Sequence, residues 1–317
     1  METKKIKNIL VIGAGTMGEG IVQNFAQAGF NVTVMARRQE SLDKCLKQVN
    51  ANLNTFKEFG LIKESPLTIM GRIQTILDKD LLSVVNKCDY VVETITEILE
   101  DKKAIFNRLD SLPADVVIAS NTGSFTMTIL TEGLKTPQRF VGTHYFNPAH
   151  IIPAVEVHRG EKTSDEAVEI TKQLLIQIGK KPVIVRKIVP GFIINRLTGA
   201  MEREVDYLLD EGIVTPEDLD IAVKSSFGFR LACLGPMEAE DMIGLDTSAR
   251  VSDRVYKVLS NRTDASPSLL EKVKKGELGI KSGKGWYDYS DRTREKVLDA
   301  TNRKLLQQLA LFKLLNP

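Results

Sequence analysis

Short, dense apolar runs separated by helical stripes fill the first half of the chain. Ile6-Lys-Asn-Ile-Leu-Val-Ile12 reads as a strand, residues 19–28 as a helix stopping at Gly29, and Asn31–Met35 as a second strand. A long polar helix follows over residues 39–59, then a loop at Glu64-Ser-Pro66 and a strand over 73–76. Cys88–Glu93 has the continuous apolar pattern of a buried strand running into Thr94–Glu97, and a helix over 98–110 and a strand over 115–120 complete the series. Strands alternating with helices predict an α/β fold with a parallel, doubly wound sheet, whose ligands lie outside the carboxyl ends of the strands. Two more extended segments, Val141–Pro148 and Ile152–Val157, are expected side by side at a sheet edge. After Val189-Pro-Gly191 the alternation stops, and helical stripes cover 192–211, a segment opened by Thr215-Pro-Glu-Asp218, 236–259, 267–274 and 291–315. The pattern therefore divides the chain into an α/β domain, residues 1–188, and an all-helical one, residues 189–317.

Composition narrows the function classes. With 317 residues and 43% apolar content the chain has enough material for two cores. Lys plus Arg (43) nearly balance Asp plus Glu (41) and no basic block interleaves with aromatics, which argues against a nucleic-acid partner. No apolar run reaches membrane-spanning length and the N-terminus leads directly into a strand, so a cytoplasmic protein without a membrane partner is expected. Cys45, Cys88 and Cys233 are far apart and in no metal-like spacing, which predicts reduced thiols and no metal site.

The first chemistry sits where the first strand ends. Gly13-Ala14-Gly15-Thr16-Met17-Gly18 lies between strand and helix. In that setting the three glycines permit a tight turn, close approach of a pyrophosphate, and close packing of helix on strand. The anion would rest on the helix N-terminus, where free N–H groups and the dipole favour it. At the end of the second strand, where NAD-preferring proteins carry an acid for the ribose 2′-hydroxyl, the chain reads Met35-Ala36-Arg37-Arg38. Two guanidiniums suit a 2′-phosphate, so NADP(H) is predicted over NAD(H), with Arg37 and Arg38 as its readers.

His144 and Glu156 form a candidate acid/base pair. An imidazole that exchanges a proton with an oxygen near neutral pH works best when a second group fixes its tautomer and steadies its cation. A Glu returning on the next extended segment fits that role, and both residues belong to the working edge that also holds Glu97 and the loop Ser120-Asn-Thr-Gly-Ser124.

Taken in order, Gly13–Gly18, Val92-Glu-Thr-Ile-Thr-Glu97, Ser120-Asn-Thr122, His144-Tyr-Phe-Asn-Pro148 with Val155-Glu-Val157, and Pro190-Gly-Phe-Ile-Ile-Asn-Arg196 resemble the motif series of the short-chain L-3-hydroxyacyl-CoA dehydrogenases. Gly235-Pro236, Gly244-Leu-Asp246 and the run from Lys281 to Tyr289 are similar too, so the likeness spans nearly the whole chain. It implies a Rossmann domain followed by a helical domain that mediates a homodimer, and interconversion of a short 3-hydroxyacyl-CoA with its 3-ketoacyl-CoA. It implies His144 as proton acceptor, Glu156 as its partner, and Asn195 as donor to the reacting oxygen. It also brings Glu97, Lys102, Asn147 and Lys281 near the cofactor. His150 and His158 lack the matching context and are expected to be structural or solvated. In one departure Gly123 stands where the family carries a serine that touches substrate, leaving Ser124 as the nearby hydroxyl. The run Asn147-Pro-Ala-His-Ile-Ile-Pro153 departs as well. Both differences concern the substrate pocket, so a dehydrogenase acting on a hydroxy acid or alcohol without CoA, like those for carnitine, gulonate or pyridine carboxylates, is the alternative. Lys57, Lys63 and Arg72 are candidate phosphate contacts for a CoA.

Overall fold

A computed structural model describes residues 6–81, 84, 87–113 and 115–316. The chain forms two compact units, Met1–Ile193 and Ile194–Pro317.

The first unit is built on an eight-stranded sheet: β1 (Asn8–Ile12), β2 (Asn31–Ala36), β3 (Ile73–Leu77), β4 (Tyr90–Glu93), β5 (Val117–Asn121), β6 (Phe140–Tyr145), β7 (Ala154–His158) and β8 (Lys181–Ile184), in the order β3-β2-β1-β4-β5-β6-β7-β8. Pairing is parallel from β3 to β6, antiparallel between β6 and β7, and parallel again between β7 and β8. Side chains alternate along β1. Ile9 and Val11 join one core with Ile21, Val22 and Phe25 of α1 (Thr16–Gln27) and Leu42, Val49 and Leu53 of α2 (Gln39–Glu58). Leu10 and Ile12 join the opposite core with Ile105, Phe106 and Leu109 of α3 (Leu99–Leu109). A strand covered on both faces needs apolar residues at every position, which is why these strands read as continuous runs.

Three sequence expectations change. Strand β8 pairs with β7, so β6 and β7 lie inside the sheet and not at its margin. Its four residues include Pro182 and follow a charged start, which gave no apolar signal. The segment expected as a loop at residues 64–66 holds an N-cap instead: the Ser65 hydroxyl accepts from the Thr68 N–H and a short helix, Pro66–Met70, begins there. The helical stripe over 236–259 is two helices, Pro236–Ile243 and Leu245–Val255, broken at Gly244 with φ 98°. That left-handed conformation suits glycine and cannot continue a helix.

The second unit, taken by itself, contains the helices Ile194–Asp210, Pro216–Ser225, Pro267–Lys274 and Arg294–Leu315 as well. Thr215, Ser266 and Thr293 cap three of them through their hydroxyls. Asp210 ties the first to the third, accepting from the Ser268 N–H, and to the chain ahead of it, pairing with Arg262. Many of its large apolar side chains are exposed, among them Leu197, Met201, Phe229, Met242 and Tyr256.

Candidate active site

The glycine turn has the geometry of a dinucleotide cradle. Gly13 has φ 120°, and a Cβ there would meet the Thr94 carbonyl oxygen at 2.5 Å. A Cβ on Gly18 would lie 2.0 Å from the Gly13 carbonyl oxygen, so the helix packs on the turn only because Gly18 lacks a side chain. At Gly15 an added Cβ would meet nothing within 4 Å, which leaves that stretch of backbone open at the N-terminus of α1. This is the arrangement a pyrophosphate needs, and the residues present fit a nicotinamide dinucleotide. The turn opens into a cleft of about 420 Å³ whose walls include Gly13, Ala14, Gly15, Ala36, Arg37 and Arg38. Thr16 and Met17 are the first two residues of α1.

From the cradle the carboxyl ends of β4, β5 and β6 form one bonded edge. The Asn121 amide donates to the Thr94 hydroxyl at 3.0 Å, and its oxygen accepts from the Tyr145 N–H at 3.1 Å. Glu97 accepts from the Thr122 hydroxyl and, at 3.1 Å, from the Ser124 N–H. Beneath them Lys102 of α3 is fully buried with Glu93 of β4, at 2.9 and 3.0 Å to its two oxygens. The ammonium also lies 3.2 Å from the Asn121 carbonyl oxygen and 3.3 Å from Glu97. Burial pushes the Glu93 carboxyl up, and Lys102 and the Ser120 hydroxyl pull against it. Lys102, expected at the cofactor, thus has no exposed surface and supports the loop ends from below.

His144 and Glu156 face each other in register across the antiparallel pair β6–β7. Opposite residues on adjacent strands share a face of the sheet, so their side chains meet, and Nδ1 lies 2.8 Å from Oε2. Glu156 is fully buried; its other oxygen accepts from the Ile193 N–H at 2.8 Å. With Nδ1 committed to the carboxylate, Nε2 is the nitrogen left to exchange a proton. It faces the β5 loop: a Cβ on Gly123 would sit 2.9 Å from it.

Behind the pair lies a second imidazole. His158 is 1% exposed, and neither ring nitrogen has a hydrogen-bond partner among the described residues. Its ring stacks on Phe192 at 4.3 Å and occupies the place where a side chain on Gly142 would be, since a Cβ there would lie 2.0 Å from the ring. Burial, with His144 nearby, lowers its pKa to about 4. Phe192 has φ 49°, rare for a bulky residue, and directly precedes the N–H that Glu156 accepts. His158 and Gly142 therefore seat the turn that orients Glu156.

The remaining predicted residues fall in several places. Arg37 and Arg38 line the cleft, Arg37 paired with Asp101 at 3.2 Å. Asn147 is exposed just beyond β6 and precedes a cis Pro148. In the second unit, Asn195 lies in the first turn of the helix Ile194–Asp210, and Lys281 in a turn between Gly279 and Gly283. Lys57 donates to the Lys63 carbonyl at 2.7 Å, and Arg72 pairs with Glu64 and donates to the Ala26 carbonyl. His150 is buried, its pKa lowered to about 4 by burial and by Lys180. Sequence reasoning missed Asp78, Asp101 and Arg108 in the cleft. A signal existed in the spacing 101, 104, 105, 108, which puts one face of α3 on the cleft.

Residues 8–188 match the family model of the 3-hydroxyacyl-CoA dehydrogenase NAD binding domain, and residues 191–289 that of the 3-hydroxyacyl-CoA dehydrogenase C-terminal domain. A 5-formyl-3-hydroxy-2-methylpyridine 4-carboxylate 5-dehydrogenase of Mesorhizobium japonicum is 34% identical over 95% of this chain and 96% of its own. A probable 3-hydroxybutyryl-CoA dehydrogenase of Deinococcus radiodurans is 36% identical over 88% and 99%. Among solved structures, a 5-formyl-3-hydroxy-2-methylpyridine 4-carboxylic acid 5-dehydrogenase, described as an NAD+ dependent dismutase, superposes with a TM-score of 0.89 at 33% identity, covering 98% of this chain and 99% of that one. A nicotinamide cradle and a partly buried His–Glu pair at the carboxyl ends of the strands, in a chain matched by both domain models, make this protein a member of the 3-hydroxyacyl-CoA dehydrogenase family, an oxidoreductase acting on a CH–OH group.

Proposed function

We propose that the protein interconverts a short (3S)-3-hydroxyacyl-CoA and its 3-ketoacyl-CoA. The observation that carries the chemistry is the 2.8 Å contact of His144 Nδ1 with Glu156, which leaves Nε2 beside the substrate-side loop. His144 takes the hydroxyl proton at Nε2, while Glu156 holds the Nδ1–H and stabilises the imidazolium. The Ile193 N–H on the second oxygen keeps the carboxylate turned toward the ring. Bound nicotinamide supplies the hydride acceptor for oxidation and the donor for reduction. Asn195 donates a hydrogen bond to the reacting oxygen as charge develops on it, and the Ser124 hydroxyl binds substrate in place of the serine missing at Gly123. Asn147 and Lys281 contribute to the cofactor's surroundings, and Glu97 orders the loop beside it. Arg37 and Arg38 favour NADP(H) over NAD(H). The protein works in the cytoplasm as a homodimer formed through its helical unit, whose exposed apolar side chains support that reading.

A specific observation favours a second reading. The pyridine-carboxylate dehydrogenase matches a larger share of this chain than the Deinococcus relative does, 95% against 88%. Gly123 also places bare backbone against Nε2 where the family's serine would put a side chain. On that reading the substrate is a small hydroxylated carboxylate without CoA.

Absorbance of the nicotinamide tests both. Acetoacetyl-CoA should oxidise NADPH, and NADH less efficiently, and His144→Ala should lower kcat by about 10²–10⁴. Glu156→Gln should lower kcat with little change in KM. Near-normal turnover in His144→Ala would refute the assigned base. Activity on a pyridine aldehyde carboxylate with none on acetoacetyl-CoA would select the second substrate class.

A further inference from the structure

The end of β2 offers no carboxylate to an adenosine ribose, but one reaches the same cleft from the opposite wall. Asp101, in the first turn of α3, lines the cleft beside Arg37 and Arg38, and its Oδ2 is 3.2 Å from Arg37 Nη2. Both side chains reach solvent, Arg37 at 73% exposure and Asp101 at 36%. A solvated pair of this kind is worth at most about 1 kcal/mol, so a ligand anion can displace the acid from the guanidinium. The same face of α3 continues through Ala104 and Ile105 to Arg108. Arg108 is held at that end by Asp78, at 2.7 Å to its carboxylate and 3.1 Å to its carbonyl. The wall of the cleft is thus a short apolar floor with an ion pair at each end, which fits an adenine nucleoside.

We propose that Asp101 is the cofactor-selecting carboxylate of this protein. It accepts the ribose 2′-hydroxyl of NAD(H), and by holding Arg37 it competes with the 2′-phosphate of NADP(H) for the same guanidinium. When the phosphate takes Arg37, Asp101 is left unpaired beside a dianion, and their repulsion limits the gain. This rests on the reading of Arg37 and Arg38 as phosphate-recognising. It adds that the preference for NADP(H) is modest and that Asp101 sets its size.

Calorimetric titration with 2′,5′-ADP and with 5′-AMP measures this without turnover, because the two ligands differ only in the 2′-phosphate. The full chain is compared with Asp101→Asn, Asp101→Ser and Arg37→Gln. Both Asp101 variants should bind 2′,5′-ADP about tenfold more tightly, the size expected for removing about 1.4 kcal/mol of competition and repulsion. Their affinity for 5′-AMP should weaken severalfold, and an unchanged affinity would overturn the contact with the 2′-hydroxyl. Arg37→Gln should remove most of the advantage of 2′,5′-ADP. A ratio of the two affinities unchanged within twofold in both Asp101 variants overturns the proposal. If the wild-type chain binds 5′-AMP at least as well as 2′,5′-ADP, the NADP(H) reading fails on its own, and a rise of the ratio in the Asp101 variants still supports Asp101 as selector.

Discussion

At residue scale the site depends on absent side chains as much as on present ones. Gly123 gives the β5 loop its close approach to His144, and Gly142 gives His158 its place behind Glu156. Gly123→Ser, which restores the residue usual in the family, should therefore lower kcat. Its Cβ lies within 3.0 Å of Nε2 in a ring fixed by Glu156 on one side and packed near Phe146 at 4.5 Å. The expected loss is about tenfold or more, comparable to misplacing a catalytic group by a fraction of an ångström. Steady-state kinetics decide it, and an unchanged or raised kcat would show that the loop accommodates the serine. Gly123 was legible as a departure from a motif, whereas its contact with Nε2 required the coordinates of two strands.

At element scale, β4, β5 and α3 are fastened by one buried ammonium. Lys102 and Glu93 are both fully buried, and Ser120 and the Asn121 carbonyl complete the cluster. Removing one member of a buried pair leaves the other uncompensated, which costs about 3–5 kcal/mol. Lys102→Met should thus lower unfolding stability by that order in urea titration and loosen the Glu97 loop. A loss below about 1 kcal/mol, with activity reduced, would return Lys102 to a direct role at the cofactor. The strands themselves were readable because each is a run of apolar residues. β8 was not, being four residues long with a proline and a charged start. The break at Gly244 was hidden because a helical stripe continues on both sides of it.

At the scale of the molecule, buried ionisable groups set the response to acid. His150 and His158 have pKa values near 4 against 6.5 in the unfolded chain. Above pH 6.5 both forms are neutral and nothing changes. Between pH 6.5 and 4 the unfolded chain takes up protons that these two buried rings refuse, so stability falls as pH falls, by about 1.4 kcal/mol per pH unit for each. Glu19 acts in the opposite sense: burial raises it to about 7, so the folded carboxyl retains a proton that the unfolded one loses between pH 7 and 4.5. Urea unfolding followed by circular dichroism from pH 6.5 to 4 should give a slope shallower by about one proton in His158→Leu than in wild type. Equal slopes would mean that His158 is protonated in the fold. Light scattering should give twice the 35.2 kDa chain mass; a monomer would remove the proposed role of the exposed apolar helices.

The sequence by itself determined the alternation of elements, the glycine cradle, and which imidazole and carboxylate to pair, because those depend on local periodicity and on residue types at short spacing. Only the tertiary structure decided that β7 runs antiparallel to β6, bringing residue 156 opposite residue 144. It also decided that a buried His158 and a left-handed Phe192 stand behind them, and that Asp101 of α3 reaches the cleft beside Arg37. Those contacts join residues from 12 to 64 positions apart in the chain, where no local pattern records which faces will meet.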